Sequence, residues 1–173
     1  YLIEHDGDNI TWSFTNNTEL GIAIDGTNNA TITIPNIDWY GEETVRFIAT
    51  DQTTNNLQGY EDVLLKVNPV DDGPVIENPL SDITEPEDAY NTIVDISATF
   101  TDIDNDDNKI QKSVYSNSNA SLVTATITGN SLELSYNENK HGTANISIRA
   151  LSNGKAVTDN FVVTVTPVND TPL

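Results

Sequence analysis

Apolar and polar residues alternate with period two along most of this chain, and no amphipathic stretch of helical length interrupts them. Val94, Ile96, Ala98 and Phe100 fall on one face of an extended segment, while Asp95, Ser97 and Thr99 take the other. The same alternation recurs at Ile110 to Tyr115, Leu122 to Thr128, Leu132 to Tyr136 after the Gly129-Asn130 turn, Ile146 to Ala150, and Phe161 to Val165. With a short first strand near Ile83, this predicts seven strands, each with one core face and one wet face, the number of a Greek-key sandwich. Earlier in the chain the pattern marks Ile10 to Phe14, Thr31 to Ile34, Val45 to Ala49 and Val63 to Val67.

The chain repeats itself. Val67-Asn68-Pro69-Val70-Asp71-Asp72-Gly73-Pro74 and Val165-Thr166-Pro167-Val168-Asn169-Asp170-Thr171-Pro172 are 98 positions apart, 67 to 165, and each closes an apolar run with an acidic, proline-bounded joint. Glu4-His5-Asp6-Gly7-Asp8 and Asp102-Ile103-Asp104-Asn105-Asp106 share that offset, and Tyr40-Gly41-Glu42 matches His141-Gly142-Thr143. The expected organisation is a repeat over 1–70, an acidic linker over 71–74, a second repeat over 75–168, and the start of another linker over 169–173. Tyr1 aligns with Thr99, near the end of a second strand, so the first sandwich is expected to lack about two N-terminal strands. Open edges of that kind invite a strand donated by a neighbouring chain.

Charge narrows the function. In 173 residues there are 27 acidic and 7 basic side chains, a formal net charge of -20, which argues against nucleic acid and anionic membrane because phosphate binding needs clustered Lys and Arg. Such a chain attracts cations. Cysteine is absent, which removes disulfides and thiolate zinc sites, and no apolar run is long enough to insert in a membrane. Few Lys, no Cys or Met, abundant Asn and Thr, and repeats in series favour the extracellular space or cell surface. Sequons at Asn9, Asn16, Asn29, Asn119, Asn145 and Asn169 carry no argument, since an Asn- and Thr-rich chain produces them by chance.

Asp102, Asp104 and Asp106 follow the apolar strand at i, i+2 and i+4, which in an extended segment places three carboxylates on one side. Their repulsion invites a hard cation. Oxygen-only ligands select Ca2+, which accepts irregular sets of six to eight or so oxygens. Glu4, Asp6 and Asp8 repeat the pattern. An EF-hand is excluded, because its sixth and twelfth positions hold Asp107 and Ser113.

Phe100-Thr101-Asp102-Ile103-Asp104 resembles the strand-plus-DxD calcium motif of the cadherin-like repeats of microbial surface proteins, and Val70-Asp71-Asp72-Gly73-Pro74 resembles the interdomain joint of that family. The resemblance implies two tandem all-β, Ig-like or cadherin-like sandwiches with calcium at their junction. Carried over, Asp71 and Asp72 match linker ligands, Asp102 and Asp104 match ligands of the following domain, and Asp38 and Glu42 match the lower-loop acidic motif. Glu87 and Asp88 resemble the early acidic motif that would serve the far end of the second repeat beside Asn169 and Asp170. Asp51 matches an upper-loop ligand whose counterpart in repeat two is Ser152. The linker has Asp71 and Gly73 where the animal motif has Asn, which points to one calcium rather than three.

Trp12 shares parity with Ile10 and Phe14 and reads as core, and Trp39 and Tyr40 read as cover for one end of a sandwich. His5 and His141 have no Ser, Cys or second His in a catalytic pattern, and the paired carboxylates lie in loops rather than a cleft, so no enzyme is expected. The leading reading is a calcium-stiffened spacer or adhesive segment of a long extracellular protein, whose partners are neighbouring repeats and a homotypic chain. Competing with it are a module binding surface polysaccharide or protein, and a filament subunit completed by strand donation.

Overall fold

The computed structural model describes residues 9–52 and 55–169. It is all-β, and it divides into two compact units, Tyr1–Val70 and Asp71–Leu173. Among the described residues no helix is long and apolar enough to cross a membrane.

Unit 1 contains β1 (Ile10–Thr15), β2 (Gly21–Ile24), β3 (Ala30–Thr33), β4 (Gly41–Asp51) and β5 (Gln58–Val67). They form an antiparallel sheet in the order β1-β4-β5 and a separate β2-β3 hairpin. The hairpin turn is tied by Asp25, whose carboxylate accepts from the Thr27 and Asn29 backbone N–H groups at 2.8 and 2.9 Å. Among the described residues β3 pairs only with β2 and β5 only with β4. The burial follows from that. Leu20, Val45 and Ala49 are the buried apolar side chains, whereas Ile32, Ile34 and Leu64 are 44%, 45% and 60% exposed. Trp12 is half-buried, short of the full core position that its parity predicts.

Unit 2 contains β6 (Val75–Ile76), β7 (Ile83–Pro86), β8 (Thr92–Asp95), β9 (Phe100–Thr101), β10 (Gln111–Asn117), β11 (Val123–Thr128), β12 (Ser131–Tyr136), β13 (Gly142–Ser152) and β14 (Lys155–Thr166). One sheet runs β10-β13-β14-β7, with β7 parallel to β14; the other runs β11-β12-β8; β6 and β9 form a short third ladder. Ile146 and Ile148 on β13, Phe161 and Val163 on β14, and Leu132 and Leu134 on β12 meet in one core with Ile96 and Phe100. Strands β10 to β14 reproduce the pairings of β1 to β5, so unit 2 is the unit 1 pattern with the preceding strands added.

Two expected strands are interrupted. The segment before β7 first pairs with β9, then crosses sheets where the buried Asp159 carboxylate accepts from Leu80 N–H at 2.7 Å. The alternating run from Val94 to Phe100 breaks because Asp95 accepts from Ser97 N–H at 2.8 Å, a local turn that competes with the ladder. Ala98 is therefore exposed and Thr99 buried, the reverse of the alternation.

Both long strands start at a glycine in the left-handed region, Gly41 at φ 152° on β4 and Gly142 at φ 139° on β13. A side chain there would be strained, and at Gly41 a β-carbon would stand 3.2 Å from the Trp39 ring. The repeat is thus visible as backbone conformation.

Candidate functional site

The acidic residues concentrate at the head of unit 2, where Asp71–Pro74 enters beside the loop after β9 and the hairpin tip between β13 and β14. The loop is not extended. Asp102 Oδ1 accepts from the backbone N–H groups of Asp104 and Asn105, at 3.0 and 3.1 Å, and folds the chain back on itself. A 3₁₀ turn, Asp107–Lys109, follows, capped by Asp106, whose side chain accepts from Asn108 N–H at 3.0 Å. The expectation that Asp102, Asp104 and Asp106 share one side of a strand therefore does not hold: the Asx turn replaces period two, and Asp106 serves its own helix-like turn.

The turn brings other groups together. Asp104 Oδ2 accepts from Asp72 N–H at 2.6 Å, tying the backbone of the Asp71–Pro74 segment to the loop. The Asn105 amide donates at 3.2 Å to both Asp71 Oδ1 and Asp102 Oδ1, and so lies between two carboxylates. Asn153, at the hairpin tip, donates to Asp71 Oδ1 at 2.8 Å. Lys155 Nζ donates to the Asp71 carbonyl and lies 3.4 Å from Asp71 Oδ2. Asp107 holds the loop from behind, accepting from Asp102 N–H at 2.9 Å and from the Thr101 hydroxyl.

Asp102 stands apart in this network. It is only 6% exposed, and its Oδ2 is buried without a hydrogen-bond partner of good geometry. Burial pushes its carboxyl up, but the nearby Ser152 hydroxyl and the donors from Asp104 and Asn105 outweigh that and hold it below the usual carboxylate range. The balance favours the ionised form, with Oδ2 buried and short of a well-formed hydrogen bond. Asp71 is also held low, chiefly by the Asn153 and Asn105 amides and further by Lys155, against its desolvation.

Among the described residues no three His, Cys, Asp or Glu side chains are gathered into a ready-made ion cage. The donor chemistry nonetheless fits a hard divalent cation, since carboxylates of Asp71, Asp102 and Asp104 line this head and one Asp102 oxygen is buried without a well-formed hydrogen bond.

The remaining candidates are dispersed. Glu87 and Asp88 follow β7 at the other end of the 12-residue β14, roughly 35 Å away at strand rise. Glu87 is buried and accepts from Val168 N–H at 2.9 Å, with His141 Nδ1 at 3.7 Å from its other oxygen. Asp88, in the left-handed region at φ 68°, accepts from Asn139 N–H at 3.4 Å. In unit 1, Glu42 pairs with Lys66 at 2.8 Å, Asp38 sits in a turn where its N–H donates to Asn36, and Asp51 ends β4, at the opposite end from Glu42. Glu4, Asp6, Asp8 and Asp170 lie outside the described residues.

Sequence reasoning missed Asn105, Asp107, Asn153 and Lys155. Asn153-Gly154 was a readable hairpin-turn signal, and the structure gives both residues positive φ. Nothing local in the sequence could have placed that tip against residue 71.

No protein-family model and no curated protein matches the chain. Among solved structures it is similar to human protocadherin-24 EC1-2, at 17% identity and TM-score 0.52, over 98% of this chain and 85% of that one. It is also similar to the protocadherin gamma B2 extracellular cadherin domains 1-5, at 13% identity and TM-score 0.52, covering 93% of this chain and 34% of that one. An endo-fucoidan hydrolase, MfFcnA4 from glycoside hydrolase family 107, aligns at 18% identity and TM-score 0.42, and the chain spans 24% of its length. The protocadherin similarities show a cadherin-like fold.

Proposed function

We propose that this chain is a calcium-binding structural segment of an extracellular, adhesion-type repeat protein rather than an enzyme, and that Ca2+ at the head of unit 2 fixes the segment connecting the two units. The observation that carries this reading is the buried, ionised Asp102 with one unpartnered oxygen, set in a loop that already binds the linker through Asp104. Asp102, Asp104 and Asp71 would hold the ion. When bound, the ion supplies positive charge that offsets carboxylate repulsion and satisfies the buried oxygen. The protein's own contribution is the loop fold, which holds Asp102 in place before any ion arrives.

A linker fastened to one unit has fewer accessible conformations, so the array stiffens. Affinity in the range of roughly 0.1–1 mM suffices outside cells. Neighbouring repeats of the same protein are the immediate partners. Small-angle scattering of the chain with calcium and with chelator tests the reading: calcium should narrow the distribution of interatomic distances, and identical profiles would remove the mechanism.

A second reading rests on unit 1. The edges of β3 and β5 that lack partners among the described residues, with Ile32 and Ile34 exposed beside them, support a strand acceptor completed by another polypeptide segment. Concentration-dependent assembly would favour it, and a monomer at all concentrations would count against it.

A further inference from the structure

Two neighbouring carboxylates at the head of unit 2 are treated in opposite ways. Asp102 meets only neutral donors and its Oδ2 forms no hydrogen bond of good geometry, whereas Asp71 is met by nitrogen donors that include an ammonium: Asn153 and Asn105 on Oδ1, and Lys155 close to Oδ2 and on the carbonyl. We infer that Lys155 is an internal ammonium latch, which occupies Asp71 in the calcium-free protein and competes with the divalent ion for that ligand. This rests on the calcium reading above.

Three observations support the latch. Lys155 is the first residue of β14, and the preceding Asn153 and Gly154, at φ 44° and 85°, make a tight tip that sends both Asn153 and Lys155 to the same aspartate. Its aliphatic stem is packed, not loose: a β-carbon on Gly73 would stand 3.1 Å from Lys155 Cβ and 3.5 Å from its Cδ, so the linker lies directly on the lysine. Finally, β4 of unit 1 ends in Asp51 where β13 of unit 2 ends in Ser152. Where unit 1 carries a carboxylate, unit 2 carries a hydroxyl, with an ammonium three residues later. In a chain with 7 basic residues and a net charge of -20, that is a local exchange of anion for cation.

The consequence is a joint with two fastenings. Without calcium, the ammonium neutralises Asp71 and keeps Asp71–Pro74 on unit 2. Calcium must displace the ammonium to use Asp71, so the latch weakens apparent affinity while sparing the linker from full release when calcium falls. A monovalent charge on a half-exposed pair is a modest competitor, so its removal should tighten calcium binding by about two- to fivefold.

The test uses the full chain and its Lys155→Met variant, which keeps the stem against Gly73. Calorimetric titration with calcium should give a dissociation constant about two- to fivefold smaller for the variant than for the parent. In chelator, amide exchange at 71–74 should be faster in the variant. In the parent, the Lys155 Nζ resonance should be protected from exchange in chelator and lose protection as calcium is added. An unchanged or weakened calcium affinity in a folded variant overturns the latch, as does an Nζ signal indifferent to calcium; the latter decides the matter even if the variant does not fold. If the parent binds no calcium, the calcium reading fails by itself. The chelator measurement then still judges the Asp71 fastening, and equal exchange at 71–74 in both proteins would overturn that too.

Discussion

Replacing Asp102 by Asn separates its two oxygens. Oδ1 accepts three hydrogen bonds, from Asp104 N–H, Asn105 N–H and the Asn105 amide, while Oδ2 is buried without one. The amide keeps the first oxygen and removes the charge. Each of the three bonds weakens from a charged to a neutral acceptor, a loss of about 1 kcal/mol apiece at most, which relief of the charge's desolvation offsets in part. Because the donors outweigh the burial, the charge is net stabilising, and Asp102→Asn should lower calcium-free stability by about 1 kcal/mol. Asp102→Ala abandons all three donors and should cost about 2–4 kcal/mol.

Calcium then distinguishes the proteins. At about 10 mM ion and a dissociation constant of about 0.1–1 mM, binding to the native state alone stabilises it by about 1.4–2.7 kcal/mol. For a unit of about 100 residues that raises the melting temperature by roughly 6–20 °C. Calorimetric melts of the parent in calcium against chelator should show this gain for the unit 2 transition, and Asp102→Asn should show almost none. An equal calcium shift in parent and Asp102→Asn would refute the argument that the unpartnered oxygen is the ion's anchor.

The remaining predictions concern acid, the core and the two units. Asp71 and Asp102 are both held below the ordinary carboxylate range. Their contribution is complete above the unfolded pKa of about 4 and is lost as pH falls through the lower folded values, so calcium-free unit 2 should melt at a constant temperature from pH 7 to 5 and fall below pH 4. In unit 1 the Asn29 N–H and the Thr27 hydroxyl and N–H pull Asp25 down to about 2, so carboxyl titration by NMR should place its protonation well below the ordinary aspartate value of about 4. Leu132→Ala, at a fully buried position, should destabilise unit 2 by about 2–5 kcal/mol, whereas Ile32→Ala, half-exposed on β3, should change unit 1 by less than about 1 kcal/mol; comparable losses at the two sites would contradict the packing described. Glu43, whose carboxylate accepts from Thr18, Glu19 and Leu20 N–H groups, should lower the unit 1 melting temperature when changed to Gln.

How far the sequence could be read depended on the range of the interaction. Alternation located β10 to β14 because those strands bury one face, and the period-two pattern is the direct trace of that burial. It failed where a side chain captured its own backbone. Asp95 breaks the strand after it, and Asp102 curls the DxD segment that would otherwise present three carboxylates in a row. Both are aspartates following an apolar run, where Asx turns compete best with a ladder. Hairpin β2 escaped notice because Gly21–Ile24 is short and has no buried residue to announce it.

The same distinction explains why the acidic residues were legible as a class and not as a site. Composition shows an excess of carboxylates, and the repeat marks the Asp71–Pro74 segment and the Asp102–Asp106 segment as acidic. Which carboxylates are already neutralised depends on Asn105, Asn153 and Lys155, and the last two reach residue 71 from more than 80 positions away. Those donors give Asp71 an ammonium partner and leave Asp102 with neutral donors only, so the structure ranks two aspartates that charge counting treats as equal. An ion that seeks the cheaper ligand should be drawn first to Asp102, where no internal donor has to be displaced, and to Asp71 only after the lysine yields. If calcium binds here as proposed, contact at Asp102 precedes an exchange at Asp71 in which the Lys155 ammonium is displaced.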